Sequence, residues 1–399
     1  MTSPTPPASP TPSASSTPSP SPTPSATPAS PTPPLAPAFP ASPAPEVLWY
    51  VIPREGAYPW EPAGRRPVDL GYLQQLAGTV ERLGYTGALL ATDLYDVWPL
   101  GSALAASTST RFKPLLAVHP GLIAPTLLAK MALSFDNLFG GRLRFNVVNG
   151  STSALREYGL HVEHDERYEL SAEYWSIVKR LTAGEVFDHK GRFYDLKDAG
   201  ASFRELRPVQ GPHVPLWFGG SSAPGIEMAA EHVDVYLTWG EPPHLLKEKL
   251  DHVRARAAAH GRTLRIGLRL HLIVRDTEDE AWAAADRLLD VTSQATYARQ
   301  LGERAGEDGV GWQRQFRQHG GRVPARAREL EVYPNLWPGM SLFRPGPGTA
   351  IVGSAAQVVE RLQEYRELGV DTFILSGNPL LEEAYRVAET VLPALGIRH

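Results

Sequence analysis

Residues 215–232 read Pro-Leu-Trp-Phe-Gly-Gly-Ser-Ser-Ala-Pro-Gly-Ile-Glu-Met-Ala-Ala-Glu-His, a sequence that predicts a strand, a tight turn and the start of a helix. The apolar run Leu216–Phe218 suits a buried strand, the paired glycines end it, and Ser221 or Ser222 can cap the helix that follows. Glycines let a ligand approach the backbone, and the unpaired N–H groups of a first helical turn attract an anion. Residues 219–222, the Gly-Ser turn, are therefore either a phosphate-binding turn or an ordinary strand-to-helix turn with a serine cap.

From Val47 onward, strand-like runs alternate with amphipathic helices. The predicted strands are 47–52, 87–91, 113–118, 143–148, 215–218, 233–237, 264–274 and 372–375. This alternation predicts a parallel sheet closed by crossover connections, and eight such units predict an α/β fold of the (β/α)8 TIM barrel type. In such barrels, ligands bind at the mouth formed by the loops that follow the strands. The Gly-Ser turn follows the fifth strand and should therefore lie at this mouth.

Helices are predicted between the strands, and two segments interrupt the alternation. The predicted helices are 69–83, 125–138, 166–181, 243–260, 278–289, 355–368 and 380–392. Residues 187–196 contain a Lys-Gly turn between aromatic-containing flanks and predict a small hairpin before the fifth strand. Residues 292–353 have weak periodicity and many glycines, prolines and arginines. Long irregular segments inside a compact domain are usually lids or binding loops, so we expect a lid insertion here.

The composition limits the function classes. The chain has 399 residues, 42% of them apolar, and a formal net charge of -4, which gives no indication of nucleic-acid or anionic-membrane binding. The absence of cysteine excludes disulfides, thiolate metal sites and a cysteine nucleophile. None of the 12 histidines falls in a metal-binding pattern, so we expect no metal. No apolar run is long enough to cross a bilayer, and a cytoplasmic location is expected.

Residues 1–45 differ in composition from the rest of the chain. They contain 17 of the 38 prolines, many Ser, Thr and Ala residues, and no charged residue. Such a segment cannot bury enough apolar surface to offset its ordering entropy, so we predict a disordered tail with polyproline character. A glycosylated or wall-spanning stalk would have a similar composition. The predicted barrel then comprises residues 46–399.

Two asparagines, Asn146 and Asn149, lie in or just beyond the fourth predicted strand. Amide groups inside an apolar strand need hydrogen-bond partners, and a heterocycle with alternating donors and acceptors would supply them. Hydrogen bonds to neighbouring loops would satisfy these amides equally well, so both interpretations stay open.

The seventh predicted strand reads Gly-Leu-Arg-Leu-His-Leu-Ile-Val over residues 267–274. Because side chains alternate along a strand, Arg269 and His271 share one face and the leucines take the other. A lone histidine in a strand is more often structural than catalytic, but an arginine on the same face needs an anion or a carboxylate. Together, the two residues predict a functional site.

Two further pairs of residues are candidates near the mouth. Trp239 and Glu241 follow the sixth strand and provide either an aromatic wall and a carboxylate for a ligand, or a packed ring and a helix cap. Arg167 and Tyr168 open the helix before the fifth strand, where they either reach a phosphate or form an ordinary surface pair. The residues alone do not decide between these alternatives.

Six short motifs carry a family resemblance. They are Arg66-Pro67-Val68-Asp69, Gly219-Gly220-Ser221-Ser222, Thr238-Trp239-Gly240-Glu241-Pro242-Pro243, Arg269-Leu270-His271, Pro334-Asn335-Leu336-Trp337 and Leu381-Glu382-Glu383-Ala384-Tyr385-Arg386. In this order, they resemble motifs of the flavin-dependent alkanesulfonate monooxygenases in the bacterial luciferase-like superfamily. The resemblance covers essentially everything after residue 46.

This resemblance implies a barrel that binds reduced FMN delivered by a separate NAD(P)H-dependent flavin reductase. It further implies that the reduced flavin reacts with O2 and that the C–S bond of an organosulfonate is broken to give an aldehyde and sulfite, a reaction of sulfur assimilation. The flavin carries this chemistry, while the protein orients it and excludes water. Family members are commonly dimers or tetramers.

The resemblance also implies roles for individual residues. The FMN phosphate would be held by Gly220, Ser221 and Ser222 of the Gly-Ser turn. Two further contacts to the phosphate would come from Arg167 and Tyr168. The isoalloxazine ring would face Asn146, and the Arg269–His271 pair would lie in the active site. There, the arginine would stabilise an anion and the histidine would move a proton.

The chain departs from the family pattern on the substrate side. The family typically has a cysteine after its second strand, where this shorter loop offers Tyr95. The family sequence Ser-Gly-Tyr-Pro after the last strand has Asn378 in place of the tyrosine, and an amide cannot act as a comparable acid. A mobile-loop arginine that closes over the ligand has three candidates before Pro334. They are Arg322, Arg326 and Arg328, and Arg344 lies farther along the same segment.

Two other functions remain open at this stage. A deazaflavin-dependent oxidoreductase on the same barrel would transfer a hydride without oxygen. A flavin-binding protein that has lost its catalytic residues would also explain the missing cysteine and tyrosine. The retained Arg269–His271 pair favours altered substrate specificity over loss of catalysis.

Overall fold

Eight parallel strands form a closed barrel in the computed structural model. Strands that follow one another in the chain pair side by side, and pairing of the first strand with the eighth and the sixth with the seventh completes the ring. The strands are Glu46–Val51, Gly87–Leu90, Lys113–Val118, Arg144–Val147, Leu216–Phe218, Val235–Trp239, Arg265–Arg275 and Thr372–Ser376. The predicted (β/α)8 barrel is therefore confirmed, and each barrel strand overlaps one of the eight predicted strands.

The structure describes residues 43–398 apart from 92, 151 and 305–308, together with residues 1, 2, 4 and 5. The chain divides into two units, Met1–Ser42 and Pro43–His399, and the barrel belongs to the second. Most of the predicted disordered tail, 1–45, lies outside the described residues.

Helices follow the barrel strands and cover the outside of the sheet. They are Leu70–Arg82, Val97–Ala106, Pro125–Phe139, Thr152–Glu157, His164–Thr182, Ala223–His232, Pro243–Ala259, Glu278–Asp290, Gln294–Arg304, Val310–His319, Ala355–Glu367 and Leu380–Thr390. All seven predicted helices are present. The prediction missed Val97–Ala106, because this helix contains no charged residue and so lacks an amphipathic pattern. Within the described ranges, no helix is both long and apolar enough to span a bilayer.

Short polar signals fix the starts of several helices. Asp69 precedes the first helix, and its side chain accepts a hydrogen bond from the backbone N–H of Tyr72 at 2.7 Å. Thr277 and Glu280 form a capping box at Glu278–Asp290. These contacts satisfy N–H groups that have no partner inside the helix, which is why such residues mark helix boundaries.

The alternation of side chains along each strand separates two apolar layers. One layer packs among the strands inside the barrel and includes Leu48, Leu115 and Trp217. The alternate residues, such as Trp49 and Leu270, pack outward against the helices. The barrel is therefore a filled core rather than a pore, and only its ends are available for a site.

A cluster of ion pairs occupies the end of the barrel where the strands begin. The Glu46 carboxylate pairs with Arg144, and with Arg265 at 3.1 Å. The guanidinium of Arg144 also lies over the Trp217 ring, 5.1 Å from its centre. We call this end, where the paired charges lie, the closed end, and the opposite end, after the strands, the mouth.

The hairpin predicted at 187–196 is confirmed. Its strands, Phe187–Lys190 and Asp195–Ala199, pair antiparallel. A second small hairpin joins Gly56–Tyr58 to Gly64–Arg65 near the start of the barrel.

The segment 292–353 has more regular structure than its sequence predicts. Besides two helices, it contains the strand Ala350–Ser354, which pairs parallel with the last five residues of the seventh barrel strand, and Leu336–Trp337, which pairs antiparallel with Ala350–Ser354. Short 3-10 turns complete it at Ala327–Leu330 and Pro338–Leu342. The irregular pattern arises because these pieces are short and pack on the barrel, so their sequences show little period of their own. Its role as a lid stays a prediction.

Candidate active site

The seventh and eighth strands bring Arg269, His271 and Ser376 together at the mouth. The strand register places His271 beside Ser376. Arg269 is 3% exposed and its Nη2 donates to Ser376 Oγ at 2.8 Å. His271 is 1% exposed and its Nδ1 lies 2.8 Å from the same Oγ. One hydroxyl group therefore links the two residues that the strand period predicts on one face.

Arg344, from the segment 292–353, completes this group. Its Nη1 lies 2.9 Å from His271 Nε2, and its guanidinium carbon lies 5.4 Å from the centre of the Tyr50 ring. Arg269 approaches the same ring at 4.6 Å. Aromatic faces attract cations, so Tyr50 helps to hold both guanidinium groups at the mouth. We refer to Tyr50, Arg269, His271, Arg344 and Ser376 as the mouth cluster.

Two hydrogen-bonding arrangements are available to His271. Arg344 only donates, so when Nε2 accepts from it, the ring proton lies on Nδ1 and is donated to Ser376 Oγ. Alternatively, the proton lies on Nε2 and is donated to the Pro347 carbonyl oxygen at 3.0 Å, and the Ser376 hydroxyl then donates to Nδ1. The position of the proton on His271 is therefore coupled to the position of Arg344.

The environment keeps His271 neutral and Arg269 charged. Burial, with the nearby charges of Arg269 and Arg344, lowers the pKa of His271 well below its ordinary value. Burial and the charge of Arg344 lower the pKa of Arg269 to about 9, which leaves its guanidinium protonated near neutral pH. A neutral imidazole thus lies between two cations, where it can accept a proton but does not carry one in advance.

Among the described residues, no carboxylate pairs with the positive charge of the mouth cluster. Among the ion pairs that the described residues form, none includes Arg269 or Arg344, in contrast to the compensated charges at the closed end of the barrel. The Nε of Arg269 is also buried without a hydrogen bond. A buried guanidinium without a counter-charge is unfavourable by several kcal/mol or more, so an anion at this position would stabilise the site.

The Gly-Ser turn has the geometry that its sequence predicts. Ser222 caps the helix Ala223–His232, and its Oγ accepts from the N–H of Gly225 at 3.3 Å. A Cβ at Gly220 would lie 2.7 Å from the Phe218 ring, so this position requires glycine. The hydroxyl of Tyr236 donates to the Gly220 carbonyl at 2.6 Å. The turn is thus held rigidly at the mouth, with the N-terminal end of a helix behind it.

Arg167 and Tyr168 have different positions relative to this turn. The Tyr168 ring packs beside Gly225, where an added Cβ would lie 3.1 Å from it. Arg167 is buried, and its Nη1 donates to the Gly150 carbonyl at 2.6 Å. Tyr168 therefore adjoins the Gly-Ser turn, whereas Arg167 holds the loop after the fourth strand.

The two asparagines also differ. Asn149 is 8% exposed, and neither atom of its amide group makes a hydrogen bond within the described residues. Asn146 is half-buried on the fourth strand, beside Ala117 and Trp217 of the neighbouring strands. A buried amide without partners is rare in folded proteins, so Asn149 fits a polar ligand such as the edge of a heterocycle.

The three predicted lid arginines lie away from the mouth cluster. Arg322 donates to the Glu329 carbonyl, and Arg326 pairs with Asp286 at 3.0 Å. Arg328 pairs with Glu278 at 2.6 Å. These side chains are exposed on the surface, because their carboxylate partners belong to the outer helix Glu278–Asp290 or to the segment itself. The structure instead brings Arg344 to His271.

The remaining predicted residues lie in different surroundings. Asn378 and His271 border a cavity of about 30 Å³, large enough for a water molecule. Trp239 is half-buried at the end of the sixth strand. Tyr95 is exposed on the loop after the second strand and is not part of the mouth cluster.

Sequence reasoning missed two members of the mouth cluster and one ion pair. Ser376 and Tyr50 lie on inward-facing strand positions, which the period-two pattern could have indicated once the barrel was assigned. The missed ion pair joins Glu241 to Arg314 in a bidentate manner, at 2.6 and 2.7 Å. Burial acts to raise the pKa of Glu241, but Arg314 and Lys249 outweigh it and hold the pKa below its ordinary value.

Together, these features define a TIM-barrel protein whose mouth combines a capped Gly-Ser turn, an unpartnered amide and a cationic cluster around a neutral histidine. Residues 46–372 match the luciferase-like monooxygenase family, and the chain belongs to this family.

Several solved structures share the fold at low sequence identity. A riboflavin lyase with modified FMN and riboflavin is 20% identical and has a TM-score of 0.69, over 89% of this chain and 92% of that one. The EDTA monooxygenase of Chelativorans sp. BNC1 is 17% identical with a TM-score of 0.70, over 88% and 93% of the two chains. An F420-dependent secondary alcohol dehydrogenase is 15% identical with a TM-score of 0.61, over 88% and 98%. At these identities the similarity concerns the fold alone.

The lowered pKa of His271 predicts how stability depends on pH. In the unfolded chain, His271 takes up a proton below a pKa of about 6.5, whereas in the folded protein it stays neutral to much lower pH. The free energy of unfolding should therefore fall from pH 7 to pH 5. His271→Gln should remove the part of this pH dependence that comes from His271. In urea unfolding, the free-energy gap between wild type and His271→Gln should narrow by about 1–2 kcal/mol between pH 7 and pH 5.

His252→Gln, on an exposed position of the helix Pro243–Ala259, is the matched control. Its unfolding free energy should stay within about 0.5 kcal/mol of wild type at both pH values. A gap for His271→Gln that is constant or widens toward pH 5 would contradict the assignment of a neutral, buried imidazole.

Proposed function

We propose that this protein is a reduced-FMN-dependent monooxygenase that cleaves the C–S bond of an organosulfonate to give an aldehyde and sulfite. The observation that carries the proposal is the uncompensated charge of Arg269 and Arg344 beside the neutral imidazole of His271. A sulfonate is a permanent anion with three acceptor oxygens, and guanidinium groups present several donors in a fixed plane. The mouth cluster thus matches the charge and the hydrogen-bonding needs of this substrate class.

FMN fits the other features of the mouth. Its phosphate would lie at the Gly-Ser turn, against Ser221, Ser222 and the hydroxyl of Tyr168, where the first turn of a helix favours an anion. The unpartnered amide of Asn149, with Asn146 nearby, would serve the polar edge of the ring. When bound in reduced form, FMN supplies the electrons that activate O2.

Within this proposal, Arg269 has an electrostatic role. Ser376 and the Tyr50 ring hold its guanidinium in one orientation, so the charge does not need to reorganise when negative charge develops on the reacting atoms. Such preorganised donors are most effective where water is excluded, and Arg269 is almost fully buried.

His271 and Arg344 would act together. While Arg344 contacts Nε2, this nitrogen is occupied as an acceptor. When Arg344 turns toward a bound anion, the Nε2 lone pair of His271 becomes available to take a proton, and Ser376 Oγ stabilises the proton that remains on Nδ1. Arg344 is thus our candidate for the arginine that closes over the ligand.

Asn378 bears on which sulfonate is used. Asn378 borders the same cavity as His271, and its amide can donate and accept hydrogen bonds but cannot act as an acid near neutral pH. We therefore propose an organosulfur substrate that differs from a simple alkanesulfonate.

Reduced FMN would come from an NAD(P)H-dependent flavin reductase, and we expect a homo-oligomer.

A deazaflavin-dependent hydride transfer is the second candidate, favoured by the similarity in fold to the F420-dependent alcohol dehydrogenase. Anaerobic titrations of the protein with F420 and with reduced FMN distinguish the two. Tighter binding of F420, together with no oxygenated product, would replace the first proposal by the second. A purely flavin-binding protein is less consistent with the intact network of Arg269, His271 and Ser376.

The reaction predicts sulfite release that depends on both arginines of the mouth cluster. We expect purified protein with FMN, a flavin reductase, NADH and O2 to release sulfite from at least one compound in a panel of sulfonates. Arg269→Ala and Arg344→Ala should each lower kcat/KM about 100-fold, because each removes donors aimed at developing charge. Arg326→Ala, on the surface of the same segment as Arg344, should stay close to wild type.

Absence of both sulfite and oxygenated product with every organosulfur compound would exclude the proposed substrate class. A large loss of activity in Arg326→Ala with normal activity in Arg344→Ala would instead show that a different arginine closes over the ligand.

The Gly-Ser turn predicts a charge-dependent loss of FMN affinity. Replacing Ser221 and Ser222 by Asp keeps a good helix cap but adds negative charge where the phosphate would lie, so FMN should bind about 100-fold more weakly or worse. Replacement of both by Asn is the matched control, since Asn has the same shape without the charge. FMN affinity is measured by quenching of flavin fluorescence, and equal affinities for the two double variants would refute this assignment.

A further inference from the structure

A buried carboxylate at the end of the sixth strand is shared by two cations. Glu241 is 2% exposed and pairs with Arg314 through both of its oxygens, at 2.6 and 2.7 Å. Lys249 lies 3.1 Å from the same carboxylate and donates to Thr238 Oγ1 at 2.8 Å. Lys249 belongs to a barrel helix, whereas Arg314 belongs to the helix Val310–His319, which we call the lid helix.

When the Arg314 contact opens, Glu241 keeps its second cation, Lys249. Lys249 is almost fully buried, and the backbone of Glu241 is fixed to the barrel by the hydroxyl of Tyr365, which donates to the Glu241 carbonyl at 2.8 Å. Arg314 is partly exposed and can be solvated. If the lid helix leaves, Lys249 still neutralises Glu241, so no unpaired charge remains buried and the Arg314 contact can open without the large penalty of an isolated ion.

The lid helix lies over the Gly-Ser turn. Gly311, its second residue, is close enough that an added Cβ would lie 3.9 Å from Ser221 Oγ and 3.7 Å from the Trp239 ring. The first turn of the lid helix therefore covers the position at which the phosphate would bind, and a ligand held there is enclosed while the lid helix stays in place.

The same helix is tied to the loop that contacts His271. Gln315 is 1% exposed, and its amide, oriented to satisfy both partners, donates to the Gly346 carbonyl at 3.3 Å and accepts from the Gly348 N–H at 2.7 Å. Pro347 lies between these two glycines, and Arg344 lies two residues before Gly346. Both residues contact His271 Nε2. A displacement of the lid helix would therefore be transmitted to the residues that set the proton position on His271.

We infer that the Glu241–Arg314 ion pair is a latch that holds the lid helix over the Gly-Ser turn, and that Gln315 makes the loop 344–348 move with it. FMN release then requires the latch to open, and opening also removes Arg344 and Pro347 from His271. The statement about FMN rests on the proposed function, whereas the coupling of the lid helix to the loop stands on these contacts alone. Arg314 and Gln315 are positioning residues, since they act through other groups.

The test compares Arg314→Gln with Arg317→Gln. Arg317 lies one turn farther along the same helix, is exposed and donates to the Gln313 carbonyl within the helix, so its replacement removes the same charge without touching the latch. Hydrogen exchange of the protein without FMN should become faster in 310–319 and 344–348 for Arg314→Gln and should be unchanged in the barrel strands. The rate of FMN release, measured by stopped-flow fluorescence, should rise about tenfold or more, because loss of a bidentate ion pair acts mainly on dissociation. Arg314→Lys, which keeps the charge, should lie between wild type and Arg314→Gln.

The outcomes separate the inference from the function on which it partly rests. If the protein binds no FMN, the proposed function fails, and the hydrogen exchange still decides whether the latch exists. If Arg314→Gln behaves like Arg317→Gln in both measurements, the latch is refuted. Faster exchange in 310–319 but not in 344–348 would refute the coupling through Gln315, and faster exchange in both with unchanged FMN release would refute the control of release.

Discussion

The arrangement of the mouth depends on one strand that is longer than the barrel needs. In the seventh strand, Arg265–Arg275, residues up to His271 pair with the eighth strand, and residues from His271 onward pair with Ala350–Ser354. His271 therefore lies where the barrel ends and the inserted segment begins. Backbone hydrogen bonds fix both neighbours, so Ser376 on one side and the loop before Ala350 on the other have little freedom in how they approach the imidazole. The distances in the mouth cluster follow from this register.

Charge is distributed unequally between the two ends of the barrel. At the closed end, Glu46 and Asp371 together compensate Arg144 and Arg265, so the charges there are balanced without a ligand. At the mouth, the buried carboxylate of Glu241, two residues beyond the sixth strand, is already shared between Lys249 and Arg314. The positive charge of Arg269 and Arg344 is thus left for whatever binds, and a cleft with low-dielectric walls focuses that field on an incoming anion. Burial and the same charges keep His271 neutral, so anion binding and proton transfer depend on one another.

The sequence was sufficient for the barrel because its signals are local. Alternation along each strand, caps such as Asp69 and the spacing of apolar residues are each contained within a few residues, and the same period placed Arg269 and His271 on one face. The position of Arg344 could not be predicted in this way, because it follows from the pairing of Ala350 with His271, which lie 79 residues apart in the sequence. In addition, three other arginines fit the local sequence pattern equally well. Glu241 and Arg314 are likewise joined only by folding. The helix Val97–Ala106 was not predicted because its own local sequence contains no charged residue and so shows no amphipathic pattern.

The sharing of Glu241 has a consequence for how such proteins can diversify. Because Lys249 alone balances this carboxylate, the barrel contains its own counter-ion and does not rely on the inserted segment for electrostatic balance at this position. The segment is also attached at the upper part of the seventh strand, outside the ring of strands that closes the barrel. An insertion of different length or sequence could therefore replace it without redesign of the barrel core. In this architecture, the surface that the segment presents to the mouth can change while the strands and helices of the barrel stay as they are.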